Sequence, residues 1–68
     1  MIVHVFKTNI GIKDLGLVQG ILNELSAVLD WNTDLEDIDN ILRVVSKYEI
    51  GNIVVDCLEK HDIHCLEL

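Results

Sequence analysis

The sequence predicts an α+β fold, four antiparallel strands with two helices on one face, and three observations predict it. Runs rich in β-branched and aromatic residues stand near the start, the middle and the end of the chain. Two longer segments between them repeat apolar residues at helical spacing. The resulting order, β-α-β-β-α-β, fits 68 residues without repeats, linkers or low-complexity stretches.

Residues 2–8 (IVHVFKT) form the first predicted strand, and residues 9–13 hold a glycine and read as a loop. Over residues 14–29 the apolar positions Leu15, Val18, Leu22, Leu25 and Leu29, flanked by Ile21 and Val28, make one helical stripe. Asp14 or Asn9 can cap its start. Gly16 and Gly20 lie within this segment, each weakening a helix by about 1 kcal/mol relative to Ala. Close approach of that backbone to the sheet would account for them. Residues 31–35 (WNTDL) alternate as a strand, with Trp31 as its core anchor. Residues 36–40 make a polar turn around Ile38, and residues 41–45 (ILRVV) complete a hairpin. Ser46 and Glu49 have capping-box spacing. Ile50, Ile53, Val54, Cys57, Leu58 and His61 then predict a helix over 50–61, and residues 63–67 a last short strand. Two αβ crossovers around a hairpin give the ferredoxin-like arrangement.

Composition bounds the rest. Half of the residues are apolar and 27 are Ile, Leu or Val, with no proline and two cysteines. The length predicts one domain over residues 1–68, stabilised by aliphatic packing because two cysteines cannot make a disulfide framework. No apolar run approaches the ~18 residues of a membrane span, so no membrane insertion is expected. The start, Met1-Ile2-Val3-His4, has no signal-peptide pattern, and a reducing cytoplasm is the expected compartment. A net charge of −7 without a basic patch excludes nucleic acid as an expected partner.

Several segments resemble the heavy-metal-associated domain, the small module of copper chaperones and metal ATPases. They are Phe6-Lys7-Thr8-Asn9-Ile10, the stripe Leu15, Val18, Leu22 and Leu25, the segment Trp31-x-x-Asp34-Leu35, the strand Ile41-Leu42-x-Val44, and the closing turn around Asp62-Ile63. The resemblance covers essentially the whole chain and implies the same fold. It also implies a Cys-x-x-Cys metal pair before the first helix, but Gly11 and Asp14 occupy the matching positions and Asn9 stands where the family often has a methionine. Two thiolates hold soft Cu(I) in a way a glycine and a carboxylate do not. No metal ligand carries over, and no cofactor is expected.

Other residues carry ligand or acid–base chemistry. Cys57, His61, His64 and Cys65 are the one cluster of soft ligands. Cys57, His61 and Cys65 are alternative ligands for Zn or Cu(I), set against a buried-thiol reading of both cysteines. Asp34, Glu36, Asp37 and Asp39 crowd the hairpin turn but fail the calcium-loop pattern, with Ile38 fifth and Asp39 sixth. They read as a solvated turn, or as a docking patch for a basic partner. His4 reads as a structural strand histidine. Ser26, Ser46, Thr8 and Thr33 form no recognisable nucleophile arrangement in sequence, so no enzyme activity is expected.

Strand alternation places Phe6, Trp31, Thr33, Leu35, Leu42, Val44, Ile63 and Cys65 toward the helices. The open face then carries Val3, Val5, Asn32, Asp34, Arg43, Val45, His64, Leu66 and Leu68. Val3, Val5, Val45 and Leu66 make its apolar patch, an expected contact surface for a protein partner or a homodimer. The expected function is a small non-catalytic binding or interaction domain of heavy-metal-associated type without the thiol pair. The alternatives are a Cu/Zn-binding or metal-chaperone protein with non-standard ligands, and a small regulatory ligand-binding dimer.

Overall fold

A computed structural model describes residues 1–68. Its elements are β1 (Ile2–Thr8), α1 (Leu15–Asn23) preceded by a 3-10 turn over Ile12–Asp14, β2 (Val28–Asp34), β3 (Ile41–Ser46), α2 (Gly51–Glu59) and β4 (Cys65–Glu67). The four strands form one antiparallel sheet in the order β2-β3-β1-β4. Both helices cover one face, so the fold is the ferredoxin-like sandwich the sequence predicts.

Register explains which side chains meet. On β1, His4 and Phe6 are buried while Val3 is 63% exposed, as a period of two requires. Phe6 lies opposite Leu42 and His4 opposite Val44. Phe6, Leu42 and Val44 join Val18 and Leu22 of α1 and Val54 and Leu58 of α2 in one buried cluster. Ile63 and Cys65 are also in it, as expected. Trp31, Thr33 and Leu35 face the same way but are only half-buried, because β2 is an edge strand.

The helices are shorter than their stripes. α1 ends at Asn23, not near Leu29, and successive turn bonds from Leu25 to Leu22 and from Val28 to Leu25 lead the chain into β2. β-branched Val28 then pairs with Ser46, so β2 starts three residues earlier than the alternation of residues 31–35 suggests. A register shift between Val28 and Asp30 absorbs one residue and leaves Leu29 48% exposed. Gly16 and Gly20 do not face the sheet. Both are exposed, and a Cβ at either would meet nothing within 4 Å.

α2 stops at Glu59 because the chain turns left-handed at Asp62, where φ is 62°. Ile63 N–H bonds back to the carbonyl of Leu58, the backward bond that closes a helix C-terminus. His64 falls in the turn before β4, not in the strand, and its N–H donates to Asn9 Oδ1. No helix is long and apolar enough to cross a membrane.

Candidate functional site

The loop before α1 is closed by its own side chain. Asp14 Oδ2 accepts the Gly11 N–H at 2.9 Å, and Asp14 N–H donates to the Gly11 carbonyl at 2.9 Å. The two positions matched to the thiol pair are thus tied to each other.

The soft ligands of α2 and β4 stay apart. His61 is exposed, and its Nδ1 donates to the Cys57 carbonyl at 2.9 Å. Cys57 is half-buried and Cys65 buried, both as free thiols. Burial, with the nearby charges of Glu59 and Glu67, pushes the Cys65 thiol up to about 12. A thiol held protonated is neither a nucleophile nor a ready metal ligand. Cys57, His61 and Cys65 are not among the side chains whose ligand atoms converge.

In the hairpin turn, Asp34 Oδ1 accepts from Asp37 N–H and Asp37 Oδ1 from Asp39 N–H, while Asp39 pairs with Lys7 at 3.4 Å. These carboxylates shape a turn. Asn40 follows with a left-handed φ of 45° and anchors the turn by donating from its side chain to the Ile10 carbonyl.

One set of chemically capable groups does converge, on the covered side of the sheet under the start of α2. The His4 side chain is 1% exposed and its ring stacks on Phe6 with centroids 6.0 Å apart. Its Nε2 lies 3.0 Å from Ser46 Oγ and its Nδ1 2.9 Å from Glu67 Oε2 and 3.7 Å from Glu49 Oε1. The Ser46 hydroxyl donates to the Tyr48 carbonyl, so its oxygen accepts from His4 Nε2–H. Glu49 Oε1 also accepts the Gly51 N–H at 2.9 Å. Gly51 is what lets Glu67 in: a Cβ there would overlap the Glu67 carboxylate.

Ser46, His4 and Glu67 share the connectivity of a hydrolytic triad, which sequence spacing did not reveal. The roles do not match it. Ser46 is fully buried and directs its proton to a carbonyl, not to the imidazole, so it is not an activated nucleophile. Sequence placed His4 on a strand and Ser46 and Glu49 in a cap. Only its alternation with Phe6 signalled that His4 points inward. Glu67 is 63 residues away and arrives through the register of β4.

On the open face, Val3 sits opposite Val45, Leu66 opposite Lys7, and Leu68 N–H bonds to the Val5 carbonyl. Leu66 is 62% exposed, while Val5 and Val45 are half-buried. Asn32, Asp34 and Arg43 share this face.

No family model matches the chain, and no curated protein matches it in sequence. The fold defines the class of ferredoxin-like sandwich domains. Among solved structures, the N-terminal domain of ZntA, determined in solution in its Zn(II) form, superposes with a TM-score of 0.78. The likeness covers 96% of this chain and 89% of that one at 15% identity. This is similarity of fold.

Proposed function

We propose that residues 1–68 form one non-catalytic binding domain of heavy-metal-associated architecture that lacks the thiol pair and works by docking a protein partner on its open sheet face. The observation that carries this reading is the apolar surface of Val3, Val5, Val45, Leu66 and Leu68, which no helix covers. Contiguous apolar surface on a small domain is characteristic of association sites. The fold likeness supports the architecture, and the Gly11–Asp14 tie supports a first loop put to another use. Two free thiols suit a reducing cytoplasm.

Charge selects the partner class. The chain carries −7 overall, and on the open face Asp30 and Asp34 of β2 stand with Arg43, opposite Val5, and Lys7, opposite Leu66. The net negative charge favours a partner of net positive charge with an apolar centre over a second copy of this chain. Light scattering should give a 7.7 kDa monomer at millimolar concentration. Capture of a basic partner should fail with Leu66→Asp and weaken as salt rises. A concentration-dependent dimer abolished by Leu66→Asp would show that the face pairs with itself and overturn the partner reading.

A further inference from the structure

We infer that His4 Nδ1, Glu49 and Glu67 form a site for a divalent transition ion of the zinc class, with Ser46 fixing the imidazole. The inference is independent of docking on the open face.

It follows from accounting for protons. Ser46 spends its hydroxyl proton on the Tyr48 carbonyl, so His4 Nε2 must carry hydrogen to satisfy Ser46 Oγ. In the neutral ring, Nδ1 is then a bare lone pair. It faces two carboxylate oxygens, at 2.9 and 3.7 Å, which are acceptors as well. Acceptors that converge this closely are held together by a shared proton or by a metal ion between them.

Three features favour a metal ion. First, the ligand atoms of the three side chains lie within 4.8 Å of one another. Ligands about 2.0–2.2 Å from a tetrahedral Zn2+ sit roughly 3.3–3.6 Å apart, a spacing the two imidazole–carboxylate distances bracket. Second, a metal-bound imidazole normally donates its other N–H to a fixed acceptor, and Ser46 Oγ is that acceptor here. Third, access is one-sided. His4 is 1% exposed, but the side chains of Glu67 and Glu49 are 35% and 67% exposed, so water can complete the coordination.

The donor set selects the ion. One imidazole and two carboxylates suit Zn2+, whereas Cu(I) prefers sulfur ligands and Mg2+ prefers oxygens and retained waters. The site is also separate from the loop at Gly11–Asp14. His4 and Thr8, the last residue of β1, are about 13 Å apart along the strand.

The test is calorimetric titration of the full chain with ZnCl2, paired with 15N shifts of the histidine rings. Saturable binding at about micromolar Kd, with His4 Nδ1 shifting, is expected. Glu49→Gln should weaken it at least ~10-fold, and Glu49 is exposed enough that this variant should fold. Gly51→Ala, which displaces the Glu67 carboxylate while keeping all three ligands, should weaken it too. Cys57→Ser should leave it unchanged, and equimolar Mg2+ should not compete. Binding weaker than roughly 100 μM overturns the inference, leaving the ring proton as the only cation in the cluster. So does binding insensitive to Glu49→Gln, binding lost in Cys57→Ser, or equal competition by Mg2+.

Discussion

Replacing Gly16 and Gly20 by alanine should stabilise the domain, singly and together. Both lie within α1, both are exposed, and an added methyl at either meets no atom within 4 Å. Neither has a positive φ, so alanine fits the existing backbone. The gain is then set by helix propensity and by the lost freedom of the unfolded chain, about 0.8–1.0 kcal/mol per site. The positions are one helical turn apart, so the double variant should gain about 2 kcal/mol, with coupling of roughly 0.5 kcal/mol between neighbouring methyls. A domain of 68 residues has about 3–10 kcal/mol in all, so the effect is large. In thermal unfolding it corresponds to a rise of about 4–8 °C per alanine. Urea denaturation should show a higher midpoint with an unchanged slope. A loss of stability at either site would refute the reasoning, because it would mean that the backbone there closes against a neighbour. The glycines also line an open groove of about 390 Å³ between the helices, with Cys57 and His61 opposite. Probe binding in that groove should fall in the double variant while stability rises.

Two further outcomes follow from local structure. Cys65 should resist iodoacetamide at pH 8 until the protein unfolds, since its thiol is pushed from 9.0 up to about 12. Folding favours the neutral thiol, so that contribution is complete below pH 9 and is lost as pH rises from 9 toward 12, a decline that urea midpoints should follow and that Cys65→Ala should flatten. At Asp62, the left-handed φ of 62° costs a side-chain-bearing residue energy that glycine does not lose. Asp62→Gly should therefore stabilise by about 0.5–1 kcal/mol in the same assay.

Strand alternation in the sequence was enough to assign both sheet faces, because a one-residue slip in β1 would have buried Val3 and exposed Phe6. Helix length was not legible. The stripe continues through Leu25 and Val28 past the end of α1, since turn and strand residues packed against the core repeat the same apolar spacing. The cap spacing of Ser46 and Glu49 misled for a related reason. The two side chains do satisfy polar groups near a helix start, but Ser46 serves His4 and Tyr48 while Glu49 serves Gly51. The cation cluster was illegible because it depends on tertiary register. Glu67 reaches His4 only after β4 pairs with β1 and α2 brings a glycine over the pair.

The same alternation makes the two proposed activities separable. Consecutive residues of β1 serve opposite sides of the sheet, Val3 and Val5 the open face and His4 the cluster beneath α2. On β4, Leu66 and Glu67 divide in the same way. Leu66→Asp adds charge outside the core and should remove partner docking while sparing zinc uptake. Glu49→Gln lies on the helix side and should do the reverse. Loss of both activities in either variant, with the fold intact by far-ultraviolet circular dichroism, would mean that the sheet couples its two faces and that docking and ion binding belong to one site. Four hydrogen-bonded strands and a close-packed core argue against such coupling, because a side-chain change on one face has no second arrangement of the sheet to select.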